Sequence, residues 1–185
     1  MGGLLNRMIE RITAKKRRGS GKDFIRNVAI LSDLTEEELD QVYAIVRPLE
    51  VPKGRVIMQE GEIGDSMYFF AQGVADVTKS LTIKLGQAEF GSVEKSMVKL
   101  DSRFVSFFGD MAMFQDEPRS ATITAASDCL LYEIKRDDFQ VLVDRSPALG
   151  VKILRKIASA LCHRIRKGNQ DILKLSTALS MALSK

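Results

Sequence analysis

Residues 108–125, FGDMAMFQDEPRSATITA, combine the residue types that bind a small anion. Gly109 lacks a Cβ and lets the backbone approach a ligand closely. We expect a short helix to begin there, with its first N–H groups unpaired and available to an anion. A proline ends that helix, and the planar guanidinium of Arg119 suits phosphate oxygens. The small and β-branched residues 121–125 indicate a strand, so the order predicts a site for one compact, singly charged phosphate.

The same stretch resembles the phosphate-binding cassette of cyclic nucleotide-binding domains, in which F-G-E-x-A is followed by P-R-x-A-T. The matching residues are Phe108, Gly109, Asp110, Ala112, Pro118, Arg119, Ala121 and Thr122. A second family motif, G-x-x-G-D-x-x-Y-x-I-x-x-G-x-x-x-V, is matched upstream by Gly61, Gly64, Asp65, Tyr68, Gly73 and Val77, with Phe70 in place of isoleucine. The resemblance covers roughly residues 24–165. Proteins that contain such domains include catabolite activator protein, cyclic-nucleotide-dependent kinase regulatory subunits and cyclic-nucleotide-gated channels.

This resemblance implies a 3′,5′-cyclic nucleotide as the ligand and no cofactor. Arg119 is expected to bind the phosphate, and a surface ion pair with Asp116 or Glu117 is the alternative. Asp110 replaces a family glutamate that bonds the ribose 2′-hydroxyl, and its reach is one methylene shorter. Ala121 stands where cGMP-selective kinases tend to have threonine, which favours cAMP over cGMP. The expected binding residues are Phe108, Gly109, Asp110, Met111, Ala112, Arg119, Ser120, Ala121, Thr122 and Arg164.

The elements that must position these residues are mainly strands. We predict an α+β, mainly β fold, an antiparallel jelly-roll (double-stranded β-helix) with N-terminal helices and C-terminal lid or dimer helices. Gly61, Gly64 and Asp65 are expected to shape its turns. A longer hairpin than the family usually has is expected over 81–104. Strands are predicted at about 55–59, 66–71, 73–80, 82–85, 96–100, 121–126 and 129–134.

Helical patterns flank the strands. Thr35 and Glu38 form a capping-box pattern before an apolar run, and helices are predicted at 137–143 and 149–166. Gly168 and Asn169 are expected to break the latter helix, and residues 171–183 are expected to form either a third helix or an extension. The apolar stripe of the 149–166 helix indicates either a homodimer seam or intramolecular core. Its members are Ile153, Ile157, Leu161 and Ile165.

The first residues are set apart by composition. Residues 4–18 show apolar residues at helical spacing followed by four basic residues, Lys15–Arg18. They predict either a terminal docking helix or an amphipathic helix that contacts a membrane surface or a partner protein. The expected division is therefore a basic helix and linker at 1–21, a cyclic nucleotide-binding β-roll at 22–145, and C-terminal helices at 146–185.

Composition excludes several classes of function. The 185-residue chain is 45% hydrophobic and 28% charged, with no membrane-spanning run and no signal peptide. Its two cysteines, Cys129 and Cys162, match no metal spacing and are expected to be buried thiols of a reduced, cytoplasmic protein. With His163 as the only histidine, an enzyme of the cupin type is not expected.

The expected function is a cytoplasmic cyclic nucleotide receptor, with cAMP favoured, that signals by rearranging its terminal helices. The net charge of +4 lies largely in the basic run, and no DNA-reading helix-turn-helix is expected within this chain. The alternatives are a degenerate domain that only assembles, or a fragment of a larger regulator, channel or transcription factor. Asp110 is the strongest argument for the degenerate domain.

Overall fold

The computed structural model describes residues 21–85 and 88–184, and within 81–97 it describes the backbone alone. The helix predicted at 4–18 lies outside these ranges, so its two interpretations stay predictions. No helix in the described ranges is long and apolar enough to cross a membrane.

Two antiparallel four-stranded sheets form the body of the protein. One sheet has the strand order β1-β8-β3-β6 and the other has the order β2-β7-β4-β5. This arrangement confirms the predicted mainly β jelly-roll. The strands are β1 Arg47–Val51, β2 Val56–Met58, β3 Ser66–Gln72, β4 Val74–Leu85, β5 Ala88–Asp101, β6 Phe107–Phe108, β7 Thr122–Ala125 and β8 Cys129–Lys135.

Strand β3 is covered on both faces, and this explains its unbroken apolar run. Successive side chains of a strand point to opposite faces. Met67 and Phe69 accordingly pack with the helices, whereas Tyr68 and Phe70 face the space between the two sheets. The central position of β3 therefore joins two hydrophobic cores, one beneath the helices and one inside the roll.

The helices cover the outer face of the first sheet. The chain is helical over 21–26 and forms a 3₁₀ turn at Ala29–Leu31, followed by α1 Glu36–Ile45, α2 Arg136–Arg145 and α3 Pro147–Leu183. The capping box before α1 is confirmed. The Glu38 amide donates to Thr35 Oγ1 at 3.3 Å, and the Thr35 amide donates to Glu38 Oε2 at 2.8 Å.

Two strands were not predicted, and others were predicted with different limits. Strand β1 includes Pro48, which lacks a backbone N–H. The proline is tolerated because β1 is an edge strand that pairs only with β8. The two-residue strand β6 is too short to be recognised from its sequence pattern. The predicted strands at 73–80 and 82–85 are one continuous strand, β4, and it pairs with β5 as the long hairpin that was expected.

The prediction of a helix break at Gly168 and Asn169 is wrong, because α3 is continuous through both residues. An interior glycine costs a helix only about 1 kcal/mol relative to alanine, and the flanking residues are good helix formers. Pro147 lies at the start of α3. Backbone N–H groups at the start of a helix have no acceptor within the helix, so proline removes no hydrogen bond there.

The apolar stripe of α3 has two different environments. Ile153 and Ile157 are buried in the core beneath the helices, so the intramolecular interpretation is correct for this half. Ile165 is 62% exposed, and all described residues after it are exposed as well. Cys129 is buried as expected, but Cys162 is exposed on α3, so the prediction of two buried thiols is half right.

Candidate functional site

The predicted anion-binding stretch folds as strand, glycine, short helix and strand. Gly109 has φ +76°, in the left-handed region that favours glycine, and it ends β6. A 3₁₀ helix, Asp110–Met113, follows at once. Its first hydrogen bond runs from the Ala112 amide to the Gly109 carbonyl at 3.2 Å. The two preceding amides, those of residues 110 and 111, therefore have no partner within the helix.

Arg119 is buried, with 8% of its surface exposed, although it is charged. Its Nη1 donates to the Gly109 carbonyl and its Nη2 donates to Ser66 Oγ, each at 3.3 Å. No carboxylate in the described ranges forms an ion pair with it, so the alternative of a surface ion pair is wrong. Asp116, one candidate for that pair, contacts Arg136 instead.

Gly64 makes room for the arginine. A Cβ built on Gly64 would lie 2.1 Å from Arg119 Nε and 2.3 Å from its guanidinium carbon. The sequence pattern assigned Gly64 to a tight turn, whereas the structure shows that it also forms the wall against which the Arg119 side chain lies. Any larger residue would displace that side chain.

The two family motifs are joined directly by backbone hydrogen bonds. The Arg119 amide donates to the Glu62 carbonyl at 2.8 Å, and the Gly61 amide donates to the Arg119 carbonyl at 3.0 Å. Lys135 Nζ donates to the Asp65 carboxylate at 3.0 Å, and this contact lowers the pKa of Asp65. The glycine turn therefore positions the backbone of Arg119 and is itself attached to the end of β8.

Ser66 was not among the predicted site residues. It is buried, accepts from Arg119, and donates from Oγ to the Tyr68 hydroxyl oxygen at 3.1 Å. Burial raises the pKa of the Tyr68 phenol above its ordinary value. This serine anchors the tip of the arginine, and it follows the G-x-x-G-D motif directly, which is the one sequence signal that could have indicated it.

A cavity of about 510 Å³ lies beside Arg119, between the cassette, the strands and α3. Nine of the ten predicted site residues line it: Phe108, Gly109, Asp110, Met111, Ala112, Arg119, Ser120, Ala121 and Arg164. Thr122 does not line it, because this residue is buried in β7 and its Oγ1 accepts from the Glu60 amide at 3.0 Å.

Most of the remaining cavity wall is apolar and was not predicted. It comes from strands on both sheets and from α3, and its residues are Met58, Val77, Leu100, Val105, Phe107, Ile123, Leu161 and Ile165. The cavity therefore suits a ligand with an anionic group near Arg119 and an apolar portion elsewhere. Sequence patterns could not select these residues, since they lie on separate parts of the chain and only the fold brings them to one cavity.

Asp110 is engaged in an ion pair. Its carboxylate, 2% exposed, accepts from Arg164 Nη1 at 2.8 and 3.1 Å. Arg164 Nη2 also donates to the Phe107 carbonyl at 3.3 Å, and its guanidinium carbon lies 4.8 Å from the centre of the Phe107 ring. The structure thus brings Arg164 to the cavity as predicted, with its guanidinium directed at Asp110.

Comparisons with known proteins identify the family to which this chain belongs. The sequence profile of the cyclic nucleotide-binding domain family matches residues 48–146. This chain therefore belongs to the cyclic nucleotide-binding domain family. A cyclic nucleotide-gated potassium channel of Rhizobium etli is 33% identical over 144 residues, which is 74% of this chain and 36% of the channel. The chain thus spans about a third of the length of the curated relatives it matches.

Solved structures show the same fold. A cyclic nucleotide-binding domain from Methylobacillus flagellatus has a TM-score of 0.68 at 22% identity, covering 86% of this chain and 84% of that one. The regulatory domain of Toxoplasma gondii PKA, solved with cAMP, has a TM-score of 0.62 at 26% identity, covering 80% and 52% of the two chains.

Proposed function

We propose that this chain is a receptor module that binds a 3′,5′-cyclic nucleotide in the cavity beside Arg119 and responds by repositioning α3. One observation supports this most strongly. Arg119 is a buried guanidinium that lines a 510 Å³ cavity and forms no ion pair with any carboxylate in the described ranges. A buried charge without a counter-ion is unfavourable, so an anionic ligand is the partner this site requires.

In this proposal each cassette group contacts one part of the ligand. Arg119 and the amides of residues 110 and 111 surround the phosphate, together with Ser120 and the Ala121 amide. The apolar wall contacts the base. Phe108 supports the cassette from β6, where its ring packs against Phe70 at 5.6 Å between centroids. Thr122 acts indirectly, by fixing the start of β7.

Selectivity is proposed to favour cAMP over cGMP. Ala121 offers no hydroxyl to the guanine amino group, and the wall that would face the base is largely apolar. An apolar wall discriminates weakly between two purines of similar size, because neither leaves a buried polar group of the protein unpaired. The expected preference for cAMP is therefore modest.

Calorimetric titration with cAMP, cGMP and AMP tests the proposal. We expect the two cyclic nucleotides to bind. AMP should bind far more weakly, because its phosphate is dianionic and is not closed into a ring with the ribose. Equal heats from AMP and cAMP would overturn the assignment of the cavity to cyclic nucleotides.

Arg119→Met provides the first mutational prediction. We expect affinity for cAMP to fall by about 100-fold or more, since the ligand's phosphate loses its buried cation. In the ligand-free protein, however, the melting temperature should be unchanged or higher, because an unpaired buried charge is removed. Arg166→Met, on the exposed surface of α3, is the matched control and should alter neither quantity.

We further propose that two chains associate through the exposed part of α3. Beyond the body of the protein, apolar residues follow the 4-3 spacing of a coiled coil, with Ile165, Ile172 and Leu179 at one core position. These three side chains are 60–66% exposed, so the seam is unoccupied by any described residue of the same chain. Leu175 and Ala182 stand at the alternate position, with Gly168 as the exception.

Other expectations stay proposals that rest on the sequence. They are a cytoplasmic location, the absence of catalysis, the division into a linker, a β-roll and C-terminal helices, and a membrane-surface or partner contact for residues 4–18. A degenerate, purely assembling domain is less well supported, because the buried arginine and the cavity are both present.

A further inference from the structure

A second acidic residue, Glu117, lines the cavity beside Arg119, and the contacts proposed above for the ligand do not involve it. The residue is exposed although it lines the cavity, so it lies where the cavity opens to solvent. Its carboxylate forms no hydrogen bond or ion pair with any residue in the described ranges. The fold therefore places Glu117 and Arg119 in one cavity wall without the direct ion pair that their sequence spacing allowed.

The residue before Glu117 is held by a cation outside the cavity. Asp116 accepts from Arg136 at the start of α2, and Arg136 Nη2 also donates to the Gly64 carbonyl at 2.9 Å. The Asp116 side chain is 85% exposed, and the residue does not line the cavity. The two neighbouring carboxylates thus have different surroundings, because one is neutralised outside the cavity and the other faces it.

The residues after Glu117 are fixed as well. Pro118 forms an isolated β-bridge with Ile63, and the Arg119 amide donates to the Glu62 carbonyl at 2.8 Å. A proline also restricts the residue before it to extended backbone conformations. Since its neighbours are held on both sides, the place of Glu117 in the cavity wall is a property of the folded cassette.

The charges around the cavity balance before any ligand binds. The described lining residues include two carboxylates and two guanidinium groups, those of Asp110, Glu117, Arg119 and Arg164. Asp110 and Arg164 neutralise each other in an ion pair at 2.8 Å. Glu117 is therefore the carboxylate that offsets Arg119, and a ligand with a second negative charge meets no further cation among these residues.

Glu117 acts against each negative charge of a bound ligand. The energy between two charges scales with their product, so this carboxylate repels a dianionic phosphate about twice as strongly as a monoanionic one at the same place. The apolar part of the wall cannot make this distinction, because it carries no charge. Solvent screens an exposed carboxylate, so the effect of each ligand charge is small and its dependence on ligand charge is the quantity to measure.

We propose that Glu117 is a specificity-determining residue that favours ligands with a single negative charge at Arg119 and disfavours open-chain nucleotides that carry more. The inference rests on the proposed function, because it takes the ligand to be a nucleotide whose phosphate binds Arg119. Glu117 contributes by repulsion alone: it weakens binding of a cyclic phosphate slightly and binding of an open-chain phosphate more.

Three adenosine ligands that differ in charge test this selection. At about pH 8 and about 0.15 M salt, adenosine is neutral, cAMP carries one negative charge and AMP carries two. Glu117→Gln should leave the affinity for adenosine unchanged, tighten that for cAMP about threefold and tighten that for AMP about tenfold. Calorimetry, with competition for the weaker ligands, measures the three affinities. An equal factor for cAMP and AMP, or no change in either, would overturn the proposal.

Two further variants are the controls. Asp116→Asn makes the same change of charge one residue away and outside the cavity, so it should leave the ratio of the cAMP and AMP affinities unchanged. Glu117→Asp keeps the charge and should keep most of the discrimination. If Asp116→Asn alters the ratio as much as Glu117→Gln does, the effect belongs to the net charge of the protein and the assignment to Glu117 is wrong.

Simple phosphates separate this inference from the proposed function. If the unaltered chain binds no cAMP, the proposed function fails, yet dimethyl phosphate and methyl phosphate still present one and two charges to Arg119. Their binding is followed through the NMR resonance of the Arg119 Nε–H group. Glu117→Gln should strengthen binding of methyl phosphate more than that of dimethyl phosphate. An equal change, or no response of Arg119 to either anion, would overturn the selection by Glu117 whatever the nucleotides do.

Discussion

At the scale of single residues, the site depends on space left for one arginine. Arg119 reaches the cavity because Gly64 has no side chain and because Ser66 accepts a hydrogen bond from its tip. The φ of Gly64 is not in the left-handed region, so an L residue would meet no backbone strain there. The requirement for glycine at this position is therefore one of space alone.

Gly64→Ala follows from this argument. The new Cβ would overlap the Arg119 side chain, so the guanidinium must move and cAMP affinity should fall by at least about tenfold. Calorimetry gives the affinity, and the far-ultraviolet circular dichroism spectrum should be unchanged because the backbone suits alanine. Unaltered affinity would show that Arg119 lies differently when ligand is bound.

Asp101 provides a prediction about pH. Its carboxylate accepts from the Arg103 side chain at 2.6 to 3.1 Å and from the Arg103 amide at 2.9 Å, which lowers its pKa from 3.8 to about 2. Since the folded pKa lies below the unfolded one, the stabilisation of this turn is complete above about pH 4 and is lost as pH falls towards 2.

Carboxyl NMR titration of Asp101 measures this effect directly. Arg103→Gln should raise the Asp101 pKa towards its ordinary value, because the principal cause of the shift is removed. The same turn leads to Val105, whose amide donates to the Asp101 carbonyl at 2.9 Å and whose side chain lines the cavity. An unshifted Asp101 pKa in the variant would contradict the assigned cause.

At the scale of elements, α3 combines two functions along one continuous helix. Its first turns fill the core beneath the helices, its middle covers the cavity through Leu161 and Arg164, and its remainder is exposed. A break at Gly168 would have separated the lid from the exposed part. The residues that cover the cavity and the exposed residues instead belong to one unbroken helix.

Gly168→Ala tests that continuity. No atom lies within 4 Å of a Cβ built at this position, so the substitution introduces no clash. We expect it to stabilise the helix by about 0.5–1 kcal/mol and to slow hydrogen exchange at residues 165–172. Faster exchange would show that the glycine ends the helix in solution after all.

At the scale of the whole molecule, the exposed stripe of α3 leads to a prediction of oligomeric state. If a second copy covers this stripe, sedimentation should show a dimer, and replacing Ile172 and Leu179 by glutamate should produce a monomer because the seam then buries like charges. Gln170→Glu, on the opposite face of the same helix, is the matched control. A monomer before any substitution would contradict the seam.

The fold was largely predictable because its signals are local. Thr35 and Glu38 define the start of α1 by contacts three residues apart, and Gly109 defines the cassette turn by its own φ. The motifs around Gly61 and Arg119 indicated the family for the same reason. Limits of strands were less predictable: β1 tolerates Pro48 only because it lies at an edge, which depends on its neighbours.

The sequence by itself determined the type of site, because a left-handed glycine, a short helix and an arginine after proline depend on adjacent residues. Only the tertiary structure decided which groups surround that arginine. Ser66 and Arg164 are separated from their partners by 53 and 54 residues, and packing of the roll and of α3 brings them together. The same packing decided that Asp110 forms an ion pair with Arg164, since its carboxylate is almost fully buried and a buried charge requires a partner.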